Sequence, residues 1–463
     1  MSLKVPEVRH SKLNMTQYKV ASMTNELVQA VLAIMLFFFY EAEIGLDSWL
    51  VGLGLVIYAV WDAINDPIVG YLTDRPYKFT KKWGRRFPWI VGFFFPTLFS
   101  FLLIFYPPNV SAKENPLVIF GWLVFTTCLF DTLESIFTTN LFALYPDKFR
   151  TESERLTLNA IGTYIAFFGT ILGTILPTMI IVFGHIDTYI LMAWILVVIC
   201  IACSLFFIPG VRDDKEGVEI YLAKYEKMEK ESLFKALKDT LKHKNFIILL
   251  ILLLTYFSLM YSISGSLLYY IRFVLNAGAD LMSLAMMLMF VGNLVTVPIW
   301  FKYAKKIQKN RKVLIMGGTI MVFSVALYTF FVDILGLFIL TFLLGVGLGG
   351  FVLIMEMIFA EVIDENVILT GKRREGLFSG IRFFITNISR VVQAVIFTIV
   401  HEFTGFIEGS DVQPLTAIIG IEFHTGLIPA IIMAIGLLIF WKFYDITTEK
   451  AKQMKEKIIE LRL

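Results

Sequence analysis

Twelve apolar stretches, each long enough to cross a bilayer, dominate this 463-residue chain. A hydrocarbon core asks for roughly 20 apolar residues in helical form. Backbone groups inside it must be satisfied internally, which only helices and closed barrels achieve. The stretches lie near 20–41, 48–73, 87–107, 116–145, 157–184, 188–209, 245–272, 281–303, 313–333, 335–362, 375–401 and 420–444. Several exceed the minimum length, as tilted helices do. The expected fold is an all-α membrane protein of twelve transmembrane helices. At 57% apolar and 17% charged residues an ordinary soluble domain is excluded. A formal charge of +3 leaves no footprint for nucleic acid. Cys200 and Cys203 are one helical turn apart, poorly placed for a disulfide, and with Cys128 read as buried thiols. The five histidines are scattered without metal-ligand spacing.

The loops alternate in charge. One set carries Lys78, Lys81, Lys82, Arg85 and Arg86, then Lys148, Arg150 and Arg155, then Lys302 to Lys312, then Lys372, Arg373 and Arg374. The other set, such as 41–48, 107–116 and 184–188, is short and poor in basic residues. The positive-inside rule then places both termini in the cytoplasm, giving a multi-pass protein of the cell membrane. The longest connection divides the chain into six plus six. Expected boundaries are 1–209 for an N-terminal six-helix bundle, 210–244 for a connecting loop, 245–446 for a second bundle and 447–463 for a cytoplasmic tail. Leu222, Tyr225, Met228, Leu233 and Leu237 recur at helical spacing in the connection. They read as an amphipathic surface helix or, alternatively, as a solvated linker. Two weakly echoing bundles describe an alternating-access transporter. Gly169-x-x-x-Gly173 and Gly345-x-x-x-Gly349 permit close helix contact.

The second stretch contains Asp62 and Asp66, one helical turn apart. Intramembrane ionisable groups mark ion or substrate pathways. At i and i+4 their Cβ atoms stand about 5–6 Å apart, and two ionised carboxylates at that range repel by about 3 kcal/mol at an effective dielectric near 20. A bound cation, a proton or a basic residue must relieve this. The helix itself carries no Lys or Arg before Arg75. With Asn65 between them, three oxygen-bearing side chains within five residues suit a hard cation; a protonated or ion-paired structural cluster is the other reading.

Gly70-Tyr-Leu-Thr-Asp74-Arg75, followed by Lys81-Lys82-Trp83-Gly84-Arg85-Arg86, resembles the loop signature of the major facilitator superfamily. Its physical job would be an ion-pair latch through Asp74, Arg75, Arg85 and Arg86, against the plainer alternative of a basic loop. Trp61-Asp62-Ala63-Ile64-Asn65-Asp66-Pro67 is similar to the helix-2 motif of the glycoside–pentoside–hexuronide:cation symporters (melibiose-permease-like) of that superfamily. The resemblance implies the major facilitator fold, two pseudo-symmetric six-helix bundles, and Na⁺, Li⁺ or H⁺ binding at Asp62, Asn65 and Asp66. It also implies a substrate carboxylate at Glu26 and a cation ligand at Ser135, and Arg373-Arg374-Glu375-Gly376 resembles the opening of helix 11. Asp364 with Arg374 echoes Asp147 with Arg155 in the first half, so Asp364, Arg373 and Arg374 are expected as a second gating cluster.

Departures from that pattern bear on the substrate. Thr138 stands where the sugar permeases carry a second sugar-binding aspartate, while Asp131 and Glu134 occupy the same helix. Residues 131, 134, 135 and 138 form one polar stripe. Glu134 either completes the cation site or replaces the missing carboxylate, and pairing with an arginine is the alternative. On helix 11, Asn387 replaces the family's lysine, flanked by Arg382 and Arg390, with Thr386 beside them. Arginine grips carboxylate, phosphate or sulfate in a planar fork, so Arg382 and Arg390 point to an anionic substrate or to neutralisation of Asp131, Glu134 or Glu356. The expected substrate set is Glu26, Asp131, Thr138, Arg382, Thr386, Asn387 and Arg390; the cation set is Asp62, Asn65, Asp66, Glu134 and Ser135.

Gly345-Val-Gly347-Leu-Gly349-Gly350 contains a G-x-G-x-x-G pattern but lies inside an apolar span with no βαβ context, so it reads as helix packing. No P-loop and no nucleophile–base pair stand out. The leading function is a cation-coupled symporter of a small polar solute such as a sugar, glycoside or uronate, a monomer needing no cofactor beyond its coupling ion and contacting membrane lipids. A lysophospholipid transporter of the same fold is the alternative, and a non-transporting membrane receptor or scaffold is the alternative of another class.

Overall fold

The structure, a computed structural model, describes residues 10–75, 77–149, 151–215, 218, 219, 222, 242–370 and 375–461. Among them are twelve helices apolar and long enough to span a membrane. Most of the expected amphipathic helix in the connection, and Arg373 and Arg374, lie outside the described residues.

In the first half, α1 (Lys12–Phe38), α2 (Ser48–Thr73), α3 (Thr80–Trp83), α4 (Phe87–Ile104), α5 (Pro116–Lys148), α6 (Glu152–Ile180) and α7 (Ile186–Phe207) supply six spans and one short helix. In the second half, α8 (Lys244–Tyr269), α9 (Asp280–Ile307), α10 (Asn310–Ala326), α11 (Ile334–Thr370), α12 (Glu375–Thr404), α13 (Leu415–Thr425) and α14 (Leu427–Phe443) are followed by α15 (Thr448–Leu461). Two compact units result: Met1–Leu32 with Phe39–Glu229, and Ala33–Phe38 with Lys230–Leu463.

Three boundaries depart from the sequence reading. The first helix starts at Lys12, because Met15 and Tyr18 are buried on one face and the Tyr18 hydroxyl donates to Leu141 O at 2.7 Å. Helix α11 runs for 37 residues, past the expected end at 362. The last span is broken at Gly426, where a Cβ would meet Thr329 Oγ1 at 2.2 Å; the same hydroxyl accepts from Leu427 N at 3.0 Å and stitches the break.

In the first unit α5 is central, with α2 and α4 against it and α7 on α4. Gly54 of α2 lets Leu123 of α5 approach so closely that an added Cβ would stand 2.9 Å away. The first glycine pair works as expected, with Gly169 and Gly173 of α6 pressed onto Met23 and Leu27 of α1. In the second unit Gly345 and Gly349 admit α9, Gly347 admits α10, and Gly350 sits under the Trp300 ring. That run is helix packing, and Trp300 Nε1 donates to Val346 O at 2.8 Å beside it.

One feature occurs in both halves. Helix α1 ends in a wide π turn, Phe39–Glu43, and α8 ends in another, Tyr270–Val274. Ile44 N donates to Phe39 O and Leu46 N to Tyr40 O; likewise Leu275 N donates to Tyr270 O and Ala277 N to Ile271 O. The residue between each donor pair is left-handed: Gly45 at φ 78° and Asn276 at φ 49°. Both residue types tolerate that conformation.

Candidate functional site

Helix α2 begins with Asp47 capping Trp49 and Leu50 and runs alongside α5, so residues 61–66 face residues 131–135 in register. Trp61 Nε1 donates to Thr132 Oγ1 at 2.9 Å. Asn65, buried, donates through Nδ2 to Asp131 Oδ2 at 3.1 Å. Ser135 Oγ donates to Asp66 Oδ1 at 2.6 Å. The carboxyls of Asp62 and Asp131 are themselves within hydrogen-bonding reach. Two full charges at such range repel by about 5 kcal/mol at an effective dielectric near 20, and Asp66 and Glu134 add to the same field. A proton or a cation between them is required.

Asp131, expected among the substrate-binding residues, therefore lies in the carboxylate cluster of α2 and α5, and it is 1% exposed. Asn65 donates one amide hydrogen to Asp131, and its carbonyl oxygen is of the kind a hard cation takes as ligand. Among the described residues no three His, Cys, Asp or Glu side chains form a metal-holding group by themselves. A cation here would need the neutral oxygens of Asn65 and Ser135 in addition to the carboxylates. Ser135 and Thr138 are buried, while Glu134 is half-buried and its main-chain carbonyl accepts from Thr138 Oγ1 at 2.9 Å. Glu26 stands on an exposed face of α1.

The remaining expected substrate residues belong to α12 in the second unit. Arg382 forms a bidentate pair with Glu356 of α11, at 3.0 and 2.6 Å, and covers the Phe359 ring. Arg390 lies over the Tyr261 ring at 5.3 Å. Thr386 Oγ1 donates to Arg382 O at 3.1 Å, and Asn387 is half-buried.

The expected latch residues of the first unit meet. Asp74 accepts from Arg85 at 3.0 Å and Arg86 at 2.6 Å, and Arg85 also reaches Asp147 at 3.4 Å. Arg75 turns instead to the Tyr71 hydroxyl, stacking on that ring. Asp364 is half-buried on α11.

Sequence reasoning missed three clusters. Asp213 accepts from Arg86 N and Phe87 N at 3.0 and 2.8 Å, capping α4 from far along the chain. His10 bridges Glu154 at 2.9 Å and Asp214 at 3.1 Å. The histidines are not all scattered either: His401 and His424 meet at 3.1 Å, and Ser266 contacts the other nitrogen of His424 at 2.7 Å. None has a local motif, because each joins residues far apart in the chain.

The hydrogen bond to Asp214, helped by Glu154 and opposed by burial, raises the His10 pKa above 6.5. A raised histidine contributes stability that is complete below its unfolded pKa and disappears as pH climbs through the folded value. Thermal stability should therefore fall on the alkaline side of pH 6.5, and His10→Gln should flatten that limb. An identical pH profile in the variant would exclude His10 as the titrating group.

The sequence of residues 17–448 matches the family described as MFS/sugar transport protein. The chain is 23% identical over 458 residues to the sodium-dependent lysophosphatidylcholine symporter 1 of Gallus gallus, covering 90% of this chain and 83% of that one. It is 24% identical over 453 residues to the isoprimeverose transporter of Lactiplantibacillus pentosus, covering 95% and 90%. Among solved structures, the nucleoside transporter NupG superposes with a TM-score of 0.60 at 13% identity, covering 94% of this chain and 99% of that chain. A peptide transporter POT in complex with sulfate gives 0.58 at 13%, covering 94% and 95%. These likenesses carry the fold, that of the major facilitator transporters, and the kinship read from Trp61–Pro67 holds. With nearly the whole length matched, the chain belongs to the MFS/sugar transport protein family.

Proposed function

We propose that this chain is a symporter of the cell membrane, termini cytoplasmic, that couples Na⁺ or H⁺ to uptake of a small polar solute of the sugar, glycoside or uronate class. The observation that carries this is the α2–α5 cluster, where Asp62, Asp66 and Asp131 cannot all be ionised without a positive charge, and Asn65 and Ser135 add neutral oxygens. A site that is unfavourable when empty and relieved by a cation is what coupling requires, since a ligand shifts a two-state equilibrium only by its differential affinity. The case for an acidic sugar rests less on Arg382, which Glu356 already neutralises.

A second reading, lysophospholipid transport, is supported by several sodium-dependent lysophosphatidylcholine symporters that are similar along most of the chain. Proteoliposome uptake of isoprimeverose and of lysophosphatidylcholine, each in NaCl, in choline chloride and across a proton gradient, separates the two. Cation-driven uptake of the sugar supports the first reading, and of the lysolipid the second. Absence of cation-dependent flux of any polar solute or amphiphile would favour a receptor or scaffold.

A further inference from the structure

The basic end of the second unit contains a cavity of about 1090 Å³. Helices α9 and α10 turn over at Gln308, a non-glycine residue in the left-handed region at φ 52°. The C-terminal segment folds back onto this turn: Thr448 Oγ1 donates to Gln308 O at 2.8 Å, and Arg311 holds the Trp441 carbonyl. Glu361 of α11 closes the inner end, accepting from Asn310 at 2.7 Å and from the Tyr444 hydroxyl at 3.3 Å. One wall is α15, anchored by Lys450 to Glu365 at 2.5 Å and to Asp445 at 2.8 Å. Although burial opposes it, the hydrogen bonds from Lys450 and Asn245 hold the Asp445 carboxyl down at about 2, so this anchor persists across the physiological pH range.

The chemistry of the lining is divided. Phe301, Ile315, Leu353, Met357 and Trp441 form an apolar side, and Phe301 and Trp441 are each 58% exposed. Lys305, Lys309, Arg311, Lys312 and Lys452 line the other side. Against these five cations stand Glu361, already engaged, and Glu449. The volume is at the upper limit of small-ligand sites, about 300–1,000 Å³. A sugar would leave the aromatic wall unused, and a bare anion would leave most of the space empty.

We propose that this cavity binds one anionic phospholipid, with its phosphate among Lys309, Arg311 and Lys312 and an acyl chain along Phe301, Leu353 and Met357. Charge complementarity selects the head, since basic groups at a membrane surface attract anionic lipids. The exposed aromatic opening admits the chain from the bilayer. Because α15 is a wall of the cavity, occupancy also fixes the C-terminal helix against α9 and α11. The site uses residues of the second unit alone and does not depend on the coupling ion.

The test is thermal unfolding of the purified full-length protein titrated with dioleoyl phosphatidylglycerol, dioleoyl phosphatidylcholine or inorganic phosphate, with native mass spectrometry counting bound lipid. One phosphatidylglycerol should bind saturably and stabilise, phosphatidylcholine should bind at least tenfold more weakly, and phosphate should not stabilise. The triple variant Lys309→Gln, Lys312→Gln, Lys452→Gln alters only exposed side chains and should weaken phosphatidylglycerol about tenfold or more. Met357→Trp should block the chain while sparing the charges. Equal affinity for the two lipids, or an unchanged triple variant, would overturn the assignment. Stabilisation by phosphate equal to that by phosphatidylglycerol would reduce the site to a simple anion pocket and overturn it too.

Discussion

Asp66→Asn should abolish the saturable rise in thermal stability that NaCl gives the wild type over choline chloride, and cut cation-driven uptake at least a hundredfold. Asp66 accepts from Ser135 at 2.6 Å and shares a helix face with Asp62, which is itself close to Asp131. Removing one charge relieves repulsion, so the variant without Na⁺ should be as stable as the wild type or more so. It should then gain nothing from the ion. A cation at a hundredfold excess over its dissociation constant stabilises by about 2.7 kcal/mol, and that is the gain to be lost. Ser135→Ala removes a neutral oxygen and should weaken the response without erasing it. A full Na⁺ response in Asp66→Asn would remove this residue from the site. No response in the wild type, combined with proton-driven uptake, would assign the cluster to H⁺.

The largest loss of stability should come from Arg86→Gln. This guanidinium is 4% exposed, donates to Asp74 at 2.6 Å and to Asn140 at 3.0 Å, while its backbone N–H is held by Asp213. Asn140 is fully buried, so its carbonyl oxygen loses this donor, an omission that costs about 1–3 kcal/mol. Losing a buried ion-pair partner adds to that, and a total of about 3 kcal/mol follows, at the low end of the roughly 3–5 kcal/mol typical for breaking a buried pair, because Asp74 remains largely in solvent. Arg85→Gln is the control. Its guanidinium is more exposed, its partners Asp74 and Asp147 are in solvent, and the expected cost is about 1 kcal/mol or less. Thermal unfolding of both variants decides the ranking; equal losses would show that Arg86 is not the anchor of this cluster.

The spans and the acidic motif of α2 were legible because both are local. Twenty apolar residues state their own environment, and two aspartates on one turn state their own conflict. Asp131 was legible as part of a polar stripe, but its allegiance was not. Only the register between α2 and α5, set by close packing at Gly54 against Leu123, brings it to Asp62 and Asn65. The same holds for His401 with His424 and for Asp213 with α4, pairs joined across long stretches of chain that no spacing rule connects. Residues 12–19 fall before the expected first stretch at 20–41 because average hydropathy ignores phase; Met15 and Tyr18 pack on one face although their neighbours are polar. Helix α15 likewise hides one face, with Met454 buried, inside a segment expected only as a tail. The break at Gly426 follows from a distant threonine hydroxyl, which a glycine alone does not announce.

The paired π turns constrain chain length more than residue identity. Phe-Tyr-Glu-Ala-Glu-Ile-Gly and Tyr-Ile-Arg-Phe-Val-Leu-Asn have no residue in common at matching positions, yet they make the same bonds and leave the membrane through the same left-handed step. A turn widened by one residue rotates everything after it by about 100°, so neither copy could lose its extra residue without misdirecting the helix that follows. The residue types differ at every position while the number of residues does not, so the constraint on these two turns falls on chain length and backbone donors and acceptors, not on side chains.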